Sequence, residues 1–421
     1  MKRWWLCVVS LLLLAACSDE IPETPKLQVK GRTMLSYIVS SDLDNYLKAN
    51  VIDMYKGLSA RKDSTTLLIF YSPSSRDISL DGPSILKFVA DGKGKINGEN
   101  IIPLTELEVR DKKYCTDAPR KADPIIRQAI VFPSHNSDEN ATDPQVMERI
   151  LKEMTKIAPS DSYGLVMGSH GTGWIEGKPV NNRSFGEEDG YNINIPELGL
   201  VLKNAFSGNK LDFILFDACM MANAEVAYEL RDVTDYMIAS VLESPALGFP
   251  YLSFFDQLYE EKVDYQFICD QFVEVNRKND SWGTVAAVDC SKMQMLADWV
   301  KEALANTYPQ WQGDYFEKVQ QYGHGHFKYF SFDVVDFFRQ LNGEAPSDLL
   351  QIMNQVVIAK NCLSGPEHKF GNLEIEGDKF CGIGMYIPYL FSSETYRKNW
   401  DEYYESSIAW YNAVEWMNYR P

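Results

Sequence analysis

The chain has 421 residues, 45% of them hydrophobic, enough apolar material for one large domain or two ordinary ones. A formal net charge of −18 argues against nucleic acid as a partner and favours cationic peptides. Eight cysteines without a C-x-x-C spacing indicate neither a zinc site nor a disulfide framework.

The chain opens with Lys2 and Arg3, then the apolar stretch Trp4 to Leu14, closed by Leu14-Ala15-Ala16-Cys17. A charged start, a short apolar run and small residues before a cut read as a signal peptide. The run is too short to span a bilayer comfortably. A cysteine at the cut makes the site a bacterial lipobox, with Cys17 as the lipidated first residue. Cleavage removes two cations and takes the net charge from −18 to −20. Residues 18–30 are rich in proline and charge and read as a flexible tether. The expected location is extracytoplasmic, lipid-anchored to a bacterial membrane, at the outer membrane or cell surface.

Beyond the tether, short apolar runs alternate with helical patterns. Strands are expected at 33–39 and 66–71, with an amphipathic stretch at 42–58 between them. Runs at 85–90 and 96–104 flank Asp91-Gly92-Lys93-Gly94 and form a hairpin. Another strand is expected at 128–132. Asp143-Pro144 opens a helix as cap and first-turn proline. Val146, Ile150, Leu151, Met154 and Ile157 then keep one apolar face. The strand at 163–168 ends beside His170. A helix at 196–205 leads to the strand at 211–216, which ends beside Cys219. Met220 to Leu230 reads as helix; strands follow at 236–240, 284–288 and 381–387. Residues 31–290 form one domain on this reading. Residues 291–421 form a helical C-terminal region in which Trp299, Leu304, Trp311 and Phe316 pack internally, and a late strand at 381–388 returns to the sheet. Repeated β-α-β order predicts a mostly parallel sheet with helices on both faces. Ligands in such sheets bind at the carboxyl ends of the strands.

His170 and Cys219 both fall at such ends, 49 residues apart. A thiolate nucleophile beside a general acid–base is the minimal equipment of a cysteine peptidase. Gly171 permits close approach of a backbone N–H to a substrate carbonyl. With the N–H of Cys219 it can form an oxyanion hole. A thiol at the start of a helix from Met220 would gain from the helix dipole. The bland alternative makes Cys219 a small buried hydrophobe and His170 a hydrogen-bonded loop residue. Gly323-His324-Gly325-His326 reads as an exposed turn, and a metal role for its histidines would need further ligands. His135 and His368 lie in polar loops. The aromatic tail, from Trp400 through Tyr411 and Trp416, reads as packing.

These residues resemble the clostripain family of cysteine peptidases, in the same clan as caspases, legumains and gingipains. Met34 to Leu47 (MLSYIVSSDLDNYL) is similar to the family's first strand and acidic turn. Asp161 to Trp174 (DSYGLVMGSHGTGW) resembles its histidine motif, and Leu211 to Leu230 (LDFILFDACMMANAEVAYEL) its cysteine motif. Ala239 to Tyr251 and Gly382 to Pro388 resemble a later loop and strand, so the likeness covers about 30–290 and returns near 380. The resemblance implies a caspase-like three-layer α/β sandwich, plus the helical C-terminal appendage. It also implies a His170/Cys219 dyad without an obligatory third member, and cleavage after basic residues. Asp217, two before the nucleophile, would pair with a substrate Arg or Lys, with Glu243 at the rim; otherwise Asp217 is a structural cap. Relatives are often processed between the two motifs, where the loop 175–190 holds Lys178 and Arg183. Ser169 departs from the family's usual acidic residue before His-Gly, and Val241-Leu242-Glu243 interrupts its Ser-Glu pairing. No cofactor is implied; some relatives depend on calcium, and no loop of EF-hand form is present. The reading is a lipid-anchored cysteine endopeptidase acting on peptides or proteins with basic residues. The rival is a catalytically idle surface lipoprotein that binds peptides in the same cleft.

Overall fold

The computed structural model describes residues 29–74, 77, 82–100, 111–133, 139–175, 184–307, 314–390 and 395–420. The leader with Cys17, and His135, Lys178, Arg183 and Trp311, lie outside them. Among the described residues no helix is long and apolar enough to cross a membrane.

The elements run β1 (Val29–Val39), α1 (Asp44–Leu58), β2 (Ser64–Ser72), β3 (Ser84–Asp91), β4 (Lys95–Ile96), β5 (Glu99–Asn100), α2 (Lys112–Ala129), β6 (Ile130–Pro133) and α3 (Pro144–Ile157). Then come β7 (Ser160–Gly168), β8 (Phe185–Glu188), β9 (Tyr191–Ile193), α4 (Ile195–Ala205), β10 (Leu211–Asp217), α5 (Ala224–Glu229), β11 (Thr234–Ala239), α6 (Tyr251–Phe254), α7 (Tyr265–Lys278) and β12 (Thr284–Asp289). The chain closes with α8 (Met293–Thr307), β13 (Phe332–Asp333), α9 (Val334–Asn342), α10 (Ser347–Val356), β14 (Val357–Cys362), β15 (Gly384–Met385), α11 (Thr395–Ser407) and α12 (Ala409–Ala413).

The main sheet has the order β14-β12-β11-β10-β7-β1-β2-β3-β4-β5, with β6 paired to β3. The five central strands, β11 to β2, are parallel. Antiparallel strands widen both margins. Strand alternation separates two apolar layers. Leu35, Tyr37, Leu165, Met167, Ile214 and Phe216 face α3, α4 and the C-terminal helices. Met34, Ile38, Val166, Phe213 and Leu215 face α1, α2, α6 and α7. This is the expected three-layer sandwich. As expected, Asp143 caps α3, accepting from the N–H groups of Gln145 and Val146.

Several boundaries differ from the sequence reading. Residues 112–129 form a helix that Pro119 and Pro124 disguise, because proline reads as a helix breaker. The strand expected from 128 therefore starts at Ile130. The region 291–376 is not purely helical, since β14 joins the sheet beside β12. The late strand at 381–388 does not return to the main sheet: Gly384 and Met385 pair with Asp333 and Phe332 instead. Nor is the C-terminal region packed only on itself. Trp299 does meet Phe338. Yet Trp174, in the histidine motif, is fully buried against Phe330, Tyr386, Trp400 and Tyr404.

The same contact carries a buried acid. Glu225 of α5 accepts from the backbone N–H of Tyr386 at 2.8 Å and the hydroxyl of Tyr404 at 2.7 Å. Burial pushes its carboxyl up to about 7, against those hydrogen bonds. The folded value lies above the unfolded one, so this group's stabilising effect is complete below about pH 4.5 and is lost as pH rises through 7. The full change is about 3 kcal/mol. Glu225→Gln, neutral at every pH, should remove that dependence. Denaturant titrations at pH 4 and pH 8 check this: parallel pH trends in the two proteins would refute it.

Candidate active site

Register alone sets two reactive side chains at one height. Ile38 of β1 pairs with Gly168 of β7, and Gly168 with Asp217 of β10. His170 and Cys219 each lie two residues beyond that shared row, on the carboxyl ends of neighbouring parallel strands. Ser169 ties the ends together: its N–H donates to the Asp217 carbonyl at 3.3 Å and its hydroxyl to the Val39 carbonyl at 2.7 Å. Successive side chains point opposite ways here, so the residue before His170 serves the backbone and not the imidazole. The departure at Ser169 thus leaves the ring's orientation to another group. That group is Asp42, whose carboxylate lies 2.6 Å from His170 Nε2. Sequence reasoning noted the acidic turn after β1 but gave Asp42 no part; only the β1–β7 pairing brings it there.

Gly171 sits against the cysteine turn. An added Cβ would lie 2.8 Å from the Cys219 carbonyl, 3.0 Å from Met221 Sδ and 3.1 Å from the Ala218 Cβ. The bridge to Phe185 uses the His170 carbonyl and the Thr172 N–H, so the N–H of Gly171 takes no part in those two bonds.

The helix expected from Met220 begins only at Ala224, and Cys219 is not at a helix N-terminus. Two causes act. Met220 and Ala222 donate to the carbonyls of Leu242 and Ser240, drawing this stretch alongside the segment after β11. Asn223 then caps α5, accepting from the Val226 N–H. Met220 takes a left-handed φ of 55° to make the turn. The thiol gains a different donor: the Ser244 N–H lies 3.3 Å from Cys219 Sγ. The same sulfur lies 4.0 Å from the Ser244 carbonyl, so the segment after β11 holds it where the helix was expected to. In sequence Ser244 is covered only within the loop Ala239 to Tyr251 and carries no assigned role. Burial pushes the thiol of Cys362 up to about 11, and those of Cys269, Cys290 and Cys381 further. Cys219 and Cys362 are half-buried, whereas Cys115, Cys269, Cys290 and Cys381 are buried.

Asp217 is 7% exposed. Its Oδ2 accepts from Asn50 Nδ2 at 2.8 Å, the Tyr251 hydroxyl at 3.0 Å and the Phe249 N–H at 3.4 Å. Gly248, at φ 62°, lies so close that a Cβ there would fall 2.8 Å from both carboxylate oxygens. Glu243 is held through its backbone. Trp282 Nε1 donates to its carbonyl at 2.8 Å, and its carboxyl is raised by burial, with the charge of His324 opposing. His324 is therefore not an exposed turn residue. It is half-buried against Phe370, while Gly325 and His326 beyond it are exposed. His368 bonds the Ser281 carbonyl at 2.8 Å. Among the described residues no three His, Cys, Asp or Glu side chains are grouped to hold a metal.

The model of the clostripain family, Peptidase C11, matches residues 36–419. The chain belongs to the clostripain family. The match runs continuously through the C-terminal region, further than the motifs alone indicated. Clostripain of Hathewaya histolytica is 24% identical over 250 residues, 52% of this chain and 47% of the relative, so the chain spans about half of that curated relative. Two solved structures share the fold. A secreted C11 cysteine protease from Bacteroides thetaiotaomicron, in complex with an irreversible peptide inhibitor, has a TM-score of 0.67 at 22% identity, covering 92% of this chain and 100% of that one. An inactive zymogen C11 protease from Parabacteroides distasonis has a TM-score of 0.63 at 22% identity, covering 91% and 97%.

As a member of the clostripain family, the protein should be sensitive to the backbone contact between Gly171 and the cysteine turn. Gly171→Ala must push the histidine strand away from Cys219. A displacement approaching 1 Å there costs about a hundredfold in rate. Kinetics beside circular dichroism would check this: a folded variant of unchanged kcat refutes it.

Proposed function

We propose that this peptidase is an extracytoplasmic, lipid-anchored endopeptidase that hydrolyses peptide bonds after Arg or Lys through His170 and Cys219. The shared row of Gly168 and Asp217 carries this reading, because it brings imidazole and thiol to the same end of adjacent strands. Cys219 thiolate attacks the scissile carbonyl carbon, and the C=O electron pair moves onto oxygen. The N–H groups of Gly171 and Cys219 receive that oxyanion. As the intermediate collapses, the C–N bond breaks and the His170 imidazolium gives its proton to the leaving amine. Water then attacks the thioester while His170 takes its proton, releasing the acid and restoring the thiolate.

Asp217 supports the basic preference. Its carboxylate is nearly buried, and the neutral donors Asn50, Tyr251 and Phe249 N–H hold it oriented. A guanidinium or ammonium reaching such an acceptor gains a charge-assisted bond. Glu243 precedes Ser244, whose N–H reaches Cys219 Sγ, and is the candidate for the pocket rim. Self-activation by cleavage after Lys178 or Arg183 accords with the Gly/Asn/Glu-rich composition of 175–190 and with the zymogen form of the similar Parabacteroides protein. The lipobox at Cys17 supports the anchor.

The test is hydrolysis of fluorogenic peptides carrying Arg, Lys, Asp, Asn or Leu at the cleaved position. Cleavage after Arg and Lys alone is expected. Cleavage after another residue would discard the role of Asp217. No cleavage of any, even after nicking within 175–190, would leave a peptide-binding lipoprotein.

A further inference from the structure

The turn that carries Asp42 is built in place. Ser40 donates its N–H to the Ser72 carbonyl at 2.9 Å and its hydroxyl to the Tyr71 hydroxyl at 2.9 Å. Leu43 closes the turn with a 2.8 Å bond to the Ser40 carbonyl. Ser41 takes a left-handed φ of 52°, and its hydroxyl bonds Glu187 of β8. The next residue of the turn is Asp42. The strand beside His170 is fixed to the same end of the sheet, through the Ser169–Val39 bond and through the bond from the Gly186 N–H to the His170 carbonyl. Carboxylate and imidazole therefore meet at 2.6 Å between two anchored segments, not by chance of two mobile side chains.

We propose that Asp42 is the positioning residue of His170, holding the ring by Nε2 so that its other nitrogen faces Cys219. This rests on the reading of His170 as the acid–base. The geometry requires such a partner from outside the histidine motif, because Ser169 directs its hydroxyl to backbone. A carboxylate at Nε2 fixes the tautomer that leaves Nδ1 for the thiol, and it stabilises the imidazolium that forms with the thiolate. The His170 side chain is 23% exposed and that of Asp42 66%. Solvent screens the pair, so the effect is smaller than for a buried acid.

The experiment uses the full chain as wild type, Asp42→Asn, Asp42→Ala and Asp42→Glu. It measures kcat and KM on an Arg or Lys peptide, and the rate of Cys219 alkylation by iodoacetamide at neutral pH. Asp42→Asn should lower kcat about tenfold with little change in KM, and should slow alkylation in step. Asp42→Ala should be at least as slow, and Asp42→Glu should recover most of the loss. Unchanged kcat and alkylation in folded Asp42→Asn and Asp42→Ala would overturn the proposal while leaving the peptidase reading intact. A rise in KM at constant kcat would overturn it too, since that marks a substrate contact. Wild-type protein with neither turnover nor rapid alkylation would overturn both.

Discussion

Cys219→Ala should abolish peptide hydrolysis, a loss on the order of a millionfold in kcat by the scale seen when a hydrolase loses its nucleophile. The reason is chemical. Alanine has no lone pair to attack the carbonyl, while burial keeps the thiols of Cys269, Cys290, Cys362 and Cys381 protonated and out of the role. His170→Ala should cost nearly as much, because in the proposed mechanism the leaving amine loses its proton source. The double variant should be little worse than either single one, since the two act as one unit. Single and double variants assayed on one basic peptide measure this. Independent, multiplying losses would mean that His170 and Cys219 do not work together.

Asp217→Asn should reduce kcat/KM on Arg and Lys peptides by about a hundredfold or more, the scale for removing one partner of a desolvated charge pair. Asparagine keeps the shape, and its carbonyl oxygen can still accept from Asn50 and Tyr251, so the fold should survive. Cleavage after Leu, slow in both proteins, should not change. Comparing kcat/KM across Arg, Lys and Leu peptides, with a thermal melt of each protein, separates the two roles open to Asp217. A lower melting temperature with unaltered selectivity would make it a structural cap.

The sequence carried more of this site than of its surroundings. The strand-end positions of His170 and Cys219 were legible because each follows a short apolar run of strand character. Their proximity follows from β-α-β connectivity. Local signals misled where they competed with distant partners. Met220 to Leu230 has helical character throughout, yet the carbonyls of Ser240 and Leu242 hold the N–H groups of Ala222 and Met220, and the helix waits until Ala224. Pro119 and Pro124 concealed α2, whose buried residues Cys115, Ala122, Ile126 and Ala129 pack beneath the sheet. Gly382 to Pro388 looked like a sheet strand because it is apolar, but Gly384 and Met385 pair with β13, and Gly382 only lies over β12 and β14, where an added Cβ would meet Ala286 and Val357.

What the sequence determined by itself is therefore the inventory and the scaffold: the parallel strands, the two reactive residues at their ends, and an acid two positions before the thiol. Tertiary structure alone decided which groups serve them. Ser244 reaches Cys219, Asp42 reaches His170, and Asn50 and Tyr251 reach Asp217, across sequence separations of 25 to 167 residues. Periodicity reports the face a residue lies on, which local sequence specifies. A hydrogen-bond partner depends on register and on the path of loops, and those are set by the packing of the whole sheet.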